Sequence, residues 1–424
     1  MSSHPAFTPR AALLLAGLAV VSAGCGRAPS PAADASRVVI GFTASQTGKL
    51  NIESARQVNG LTLWIDEVNR GGGVTLADGT AVTFAARYYD DESNKDRIQE
   101  LYTRLVGDDR ARILISPYSS GLADAAAVIA EQYDRIMITA GAASDSTHRK
   151  GCRLVYQVYT PASRYLTGAF DLLRALDPKA SRVAIVHEKD KFSSDVCDAA
   201  KSYGETRGFR IAAFEGYDSG TTDFAPFIGT IPRGADAVMG GGHFADGCTF
   251  ARQLFEKGAG GKFTALLVAA AEPKFAALGE AARGVIGPSQ WEPLCAYSPE
   301  SARLAGVDWY GPPAAKFIEA YRKRFGEEPS YHSAGGYAAG LLIQRGIEKA
   351  GRVETAALKS ALDGIDMLTF FGRIAFDVRP DSHGLQIGHE MVYIQWQRNA
   401  AGALVRQVVW PEEGRSAPAI YPAR

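Results

Sequence analysis

Two turns rich in small polar residues carry the chemistry this chain is equipped for. The first is Ser116-Pro117-Tyr118-Ser119-Ser120-Gly121 and the second is Ala140-Gly141-Ala142-Ala143-Ser144. Their hydroxyls and backbone N–H groups are hydrogen-bond donors, and a helix start adds partial positive charge. Donors gathered at one point suit a carboxylate. Catalytic spacings are missing by comparison. His187-Glu188 and His389-Glu390 lack the second histidine of a zinc-protease helix. Gly287-Pro288-Ser289-Gln290-Trp291 lacks the last glycine of a hydrolase nucleophile turn. No glycine-rich phosphate loop ends in Lys-Ser or Lys-Thr. The expectation is capture of a small solute rather than turnover, with no catalytic residue, metal or cofactor.

Each turn follows an apolar run that reads as a buried parallel strand, Ile113-Leu114-Ile115 and Ile136-Met137-Ile138, with a helix over 122–132 between them. Adjacent parallel strands bring both turns to the carboxyl edge of one sheet, where open α/β sheets bind ligands. Upstream, 38–42 is a strand, and Val58, Leu61, Ile65 and Val68 mark one face of a helix. Val82, Phe84 and Ala86 alternate as the next strand. Asp90-Asp91-Glu92 reads as a helix start rather than a metal site, with Ser93 and Asp96 as a variant capping box.

The pattern then repeats. Strands are expected at 183–186, 209–214, 237–239, 266–268 and 284–287, and helices at 194–208, 224–231 and 248–257. Helices follow at 312–325, 335–350 and 355–362. A hairpin pairs 391–397 with 404–410 around Asn399-Ala400-Ala401-Gly402. Strand–helix alternation in two copies predicts an α/β fold with two Rossmann-like lobes of parallel sheet flanked by helices. The chain crosses between lobes near Thr160-Pro161, near Ser289-Gln290 and within 372–377. The first lobe then takes 37–160 plus 290–374, the second takes 161–289 plus 375–412, and 413–424 is a tail.

A length of 424 residues suits two domains. Net charge is zero and no basic stripe is interleaved with aromatics, which excludes nucleic acid as the expected partner. After Arg10, the apolar run 11–20 is too short to span a bilayer and has the form of a signal-peptide core. It ends in Val21-Ser22-Ala23-Gly24-Cys25, small residues before a cysteine, as in a bacterial lipobox. Ser22 stands where that pattern prefers Leu. Residues 1–24 are expected to be removed and Cys25 to carry lipid, which anchors the exported chain at a membrane. Residues 25–36 are then a tether. Export permits disulfides among Cys152, Cys197, Cys248 and Cys295. Those four allow three complete pairings, and buried free thiols are an equal reading.

Four stretches together resemble a family. They are IGFTASQTGKL with VNGLTLWIDEVNRGGGV, ILISPYSSGLADAAAVIAEQYDRIMITAGAAS, AVMGGGHFADGCTFARQLFEKG, and GRIAFD preceded by EPSYHSAGGYAAG. In order and spacing they are similar to the type I periplasmic solute-binding proteins of ABC importers, in the leucine/isoleucine/valine-binding branch. The resemblance covers nearly all of the chain after the signal segment. It implies two lobes joined by a three-strand hinge that close on ligand. It places Ser120 on a ligand carboxylate with Tyr118 and Ser119 beside it, and the backbone of Gly141 and Ala142 against the ligand. Ala143 stands where the family often has a Thr hydroxyl, with Ser144 as a substitute. His243 takes the place of a ligand-facing aromatic. Glu272 falls near the acid that holds an ammonium group, and Tyr331 with His332 near a cleft-lining aromatic. Glu53 occupies a first-loop position that is often aromatic. His243, Phe244, Phe192 and Tyr118 point to an aromatic or bulkier guest, with core packing the alternative and the favoured role for Phe244.

The resemblance implies a monomeric, lipid-anchored receptor that captures an amino acid, amide or aromatic acid and presents it to a membrane permease and its ATPase. The second reading is a sensor in which the same clamp serves a membrane receptor.

Overall fold

The computed structural model describes residues 37–423. The expected signal segment, Cys25 and the expected tether lie outside them. Strands β1 (Arg37–Ala44), β2 (Val74–Thr75), β3 (Ala81–Asp90), β4 (Ile113–Ile115), β5 (Ile136–Thr139) and β6 (Val155–Gln157) form one sheet, ordered β2-β3-β1-β4-β5-β6. Its pairs are parallel except at β2. Every residue of β4 and β5 is buried, the mark of a parallel sheet covered on both faces.

The second sheet begins with β7 (Arg182–Glu188), β8 (Arg210–Tyr217), β9 (Ala237–Gly241), β10 (Phe263–Leu266) and β11 (Ile286–Ser289), which run parallel. A small sheet of β12 (Asp308–Trp309), β13 (Asp366–Leu368) and β14 (Arg373–Ala375) follows in the chain. The hairpin β15 (Val392–Arg398) and β16 (Leu404–Trp410) then completes the second sheet in the order β16-β15-β11-β10-β9-β7-β8. Two α/β lobes joined by three crossings therefore form.

The crossings are stitched side by side. Thr160 N donates to Gln290 Oε1 at 2.9 Å, and Gln386 Nε2 donates to Val158 O at 3.1 Å. Burial pushes the His389 pKa down to about 4. The ring is thus neutral near pH 7. Its Nε2–H donates to Phe371 O at 3.0 Å, and its Nδ1 accepts from the Thr160 hydroxyl at 2.8 Å.

Five helices bear on the gap between the sheets: α1 (Asn51–Arg70), α2 (Ser120–Gln132), α3 (Lys191–Thr206), α4 (Phe244–Glu256) and α5 (Tyr331–Ala350). α1 and α5 lie in backbone contact. A Cβ at Gly60 would run into the Ser333 carbonyl, and one at Gly336 into the Gln57 carbonyl.

Several local expectations change. α5 starts at Tyr331, before Gly335 and Gly336, because packing against α1 outweighs the low helix propensity of glycine. α4 starts at Phe244 rather than near 248, with the Asp246 carboxylate accepting from His243 N at 2.9 Å. Residues 268–271 are a helical turn after β10, since the alanines favour helix over strand. The acidic run does not cap a helix. β1 and β3 are neighbours in register, so Asp91 at the end of β3 accepts from Thr43 Oγ1 (2.7 Å) and Ser45 Oγ (2.6 Å) beyond β1. Asn94 caps the next turn instead of Ser93, accepting from Asp96 N at 2.9 Å. Cys152, Cys197, Cys248 and Cys295 are all free thiols.

Candidate functional site

The two small-residue turns meet, as adjacent parallel strands require, but they bind one another. Ser120 Oγ accepts from Ala143 N at 3.1 Å and from Ser144 N at 3.2 Å. Ala143 O accepts from Ala162 N at 2.7 Å, and Ala142 O accepts from Thr139 Oγ1 at 3.4 Å. The space a side chain would need at Gly141 is taken by the Gln57 side-chain oxygen and the Tyr118 ring. The Ala143 and Ser144 amides are thus paired inside the fold, which avoids the roughly 1–3 kcal/mol cost of a buried unpaired N–H. The Ser144 hydroxyl makes no hydrogen bond to the protein. Ser119 is buried at the start of α2.

Tyr118 is the hub of the gap. From the first lobe it meets His243, which sits between β9 and α4 of the second, with 2.8 Å between its hydroxyl and His243 Nδ1. Its ring lies edge-on to His243 at 5.4 Å and to His332 at 5.1 Å. His332, on α5, donates from Nδ1 to Glu272 Oε1 at 2.6 Å. Glu53, on α1, accepts from Phe244 N at 2.9 Å through Oε1. Lys49 pairs with Glu188 at the end of β7. Tyr331 packs on His332 and Tyr159, with ring centroids 4.0 and 5.7 Å apart. Phe192 stands behind His243 at 5.9 Å, edge-on to Tyr165.

The structure thus gathers Tyr118, Glu53, His243, Glu272 and Tyr331 around one point, with Phe192 backing the cluster. Sequence reasoning missed Gln57, Arg56, Lys49, Glu188 and Asp190. Gln57 was findable: it shares a helical stripe with Glu53, Leu61 and Trp64, so it puts a polar group on an otherwise apolar face.

The electrostatics follow from burial and charge. Burial alone would push the His243 imidazolium down. The Asp190 carboxylate, 3.0 Å from Nε2, with Glu188 and Glu53 nearby, more than reverses this and raises the pKa to about 9. The ring is therefore doubly protonated near pH 7, donating from Nδ1 to Tyr118 and from Nε2 to Asp190. Burial works to raise Asp190, but His243 and the Ser193 N–H at the start of α3 hold it below the usual carboxylate range. Burial and the Glu188 charge push Asp246 up to about 6. Burial also opposes Glu272, but His332 and Arg56 keep it low.

One atom each from Glu188, Asp190 and His243 lie within 4.8 Å of one another, a set that could hold a metal ion. Here those side chains are engaged by Lys49, by the start of α3 and by each other. A cavity of about 440 Å³ opens beside the first turns of α1, lined by Asn51, Arg56, Asn59, Tyr88, Lys274 and Glu327 among others. None of the residues expected from sequence to touch a ligand lines it.

This arrangement of two α/β lobes has known counterparts. A model of the periplasmic binding protein family matches residues 37–402. "Leu/Ile/Val-binding protein homolog 7" of Brucella melitensis is 24% identical over 397 residues, covering 90% of this chain and 94% of its own. The branched-chain amino acid transporter substrate-binding protein LivJ from Streptococcus pneumoniae, solved with isoleucine, superposes with a TM-score of 0.70 at 19% identity, covering 87% of this chain and 99% of its own. A solute-binding protein from R. palustris, solved with benzoate, also gives 0.70 at 17% identity, covering 91% and 97%. The chain belongs to the periplasmic binding protein family.

Proposed function

We propose that the chain is the extracytoplasmic receptor of an ABC importer. It captures a small polar solute between its lobes and delivers it to a permease and its ATPase. The observation that carries this reading is the set of side-chain pairs bridging the gap: Tyr118 with His243, Glu272 with His332, Glu53 with Phe244 N, and Lys49 with Glu188. Such pairs form only when the lobes close, and a solute that adds contacts in the closed form shifts the balance toward it. The contact residues proposed are Glu53, Tyr118, Ser144, His243, Glu272 and Tyr331, with Ser119, Ser120, Gly141, Ala142, Ala143 and Phe192 shaping the walls. The chain acts by binding and not by catalysis, as an exported monomer held at the membrane by lipid on Cys25.

The homologues and their names support transport over sensing. The test is solute uptake by cells lacking this chain. Loss of uptake of a single solute, restored by the wild-type chain and not by a Cys25→Ala form, is the expected result. Unchanged uptake across amino acids, amines, amides and aromatic acids would overturn it.

A further inference from the structure

Three side chains of the second lobe converge on one point. Glu188 ends β7, Asp190 caps α3, and His243 joins β9 to α4. One ligand atom from each lies within 4.8 Å of the other two. Glu188 and His243 are each 1% exposed. The bonds that hold these side chains leave ligand atoms over. Glu188 takes Lys49 and Ser219 on Oε1 alone, while Oε2 is buried with no hydrogen bond to the protein. Asp190 accepts from Ser193 N at 2.8 Å through Oδ1, so Oδ2 is turned to His243 Nε2, 3.0 Å away. That spacing is what two ligand atoms, each about 2.1 Å from one ion, leave when they bind it at right angles.

The backbone keeps this point open. A Cβ at Gly242 would run into Glu188 Oε2 and Asp246 Oδ2, so any other residue there would fill the hollow that the free oxygen faces. Asp246 steadies the surroundings by accepting from His243 N and from the Tyr217 hydroxyl. Charge points the same way. Glu188, Asp190 and Asp246 set three carboxylates about His243, and Glu53 adds a fourth, with Oε1 4.0 Å from Nδ1. The first lobe answers with the Lys49 ammonium on Glu188. A buried carboxylate oxygen without a partner is costly, and a divalent cation offsets both that cost and the excess negative charge.

We infer that the second lobe carries a site for one divalent transition-metal ion of the zinc or manganese kind, ligated by Glu188 Oε2, Asp190 Oδ2 and His243 Nε2. An imidazole beside carboxylates suits such an ion better than calcium, which takes oxygen ligands. The ion replaces the Nε2 proton, which passes to solvent. Nδ1–H still donates to the Tyr118 hydroxyl and so fixes the tautomer. All three ligands come from one lobe, so the site does not need closure, whereas Lys49 reaches Glu188 from the other lobe. The ion and Lys49 therefore compete for one carboxylate. This goes beyond solute capture and does not rest on it.

The test is calorimetry on the purified full chain, stripped of metal with EDTA and titrated with zinc, manganese and calcium chlorides. One zinc or manganese ion per chain, bound at least about 10-fold tighter than calcium, is the expected result. Glu188→Gln should weaken that ion by at least about 10-fold. Lys49→Ala removes the competing ammonium and should tighten it by about 5-fold. Circular dichroism checks folding, and Lys49→Ala decides alone should Glu188→Gln fail to fold. Zinc and manganese both binding more weakly than about 100 μM overturns the inference, as does calcium binding equally tightly. An affinity that neither variant changes marks an adventitious ion only, held elsewhere, and also overturns it. None of these outcomes bears on solute capture, which the uptake experiment tests.

Discussion

Ser120 shows how one hydroxyl changes role between sequence and fold. The family resemblance places it on a ligand carboxylate, yet its oxygen closes the neighbouring turn by accepting two amides. Ser120→Ala would leave both N–H groups buried and unpaired. It should therefore lower stability by about 1–3 kcal/mol in urea unfolding. His243 makes a pH-dependent contribution. Its folded pKa of about 9 lies above the ordinary 6.5. Its bond to Asp190 therefore stabilises fully below about pH 6.5, and that contribution is lost as pH rises through about 9. Melting temperatures of wild type and His243→Gln should differ most near pH 6.5 and converge by about pH 10. Asp246 runs the opposite way for a carboxylate. Raised from 3.8 to about 6, it disfavours the folded state progressively as pH climbs between those values.

At the scale of elements, α1 decides the most. Its first turns carry Glu53, Arg56 and Gln57 to the gap, and its middle lies against α5 through Gly60 and Gly336. The contact is backbone to backbone, so no rotamer change can relieve an added methyl. Gly336→Ala should destabilise by about 1–3 kcal/mol, the usual cost of overpacking, read as a lower urea midpoint at constant slope. Because the same helix holds the site, the variant should also weaken solute binding, whereas an alanine at Gly107, which has open space around it, should change neither.

At the scale of the molecule, the crossings near Thr160, Gln290 and 384–389 are bonded together, so motion is expected as rotation of the lobes about them. Each bridge across the gap contributes about 0.5–1.5 kcal/mol to closure. Combining Lys49→Ala with Tyr118→Phe removes two bridges and should shift the open–closed balance by about 1–3 kcal/mol. Small-angle scattering of solute-free protein should then show a larger radius of gyration than wild type. An unchanged radius would mean that the bridges do not govern closure.

The sequence by itself determined the architecture. Apolar runs such as Ile113-Leu114-Ile115 and Ile136-Met137-Ile138 can only be buried strands, and their alternation with amphipathic helices leaves few ways to cover both faces of a sheet. The turn after β4 also marked Tyr118, because polar or aromatic residues next to strand ends lie at the ligand edge of such sheets, and the family resemblance marked Glu53 and His243. Only the tertiary structure decided how their hydrogen bonds pair. Whether the Ser120 hydroxyl meets a solute or the amides of Ala143 and Ser144 depends on ångström-scale placement of two turns, and local pattern does not carry that information. Asp190 was illegible for the same reason: its partner, His243, lies 53 residues away and meets it only when the lobe folds.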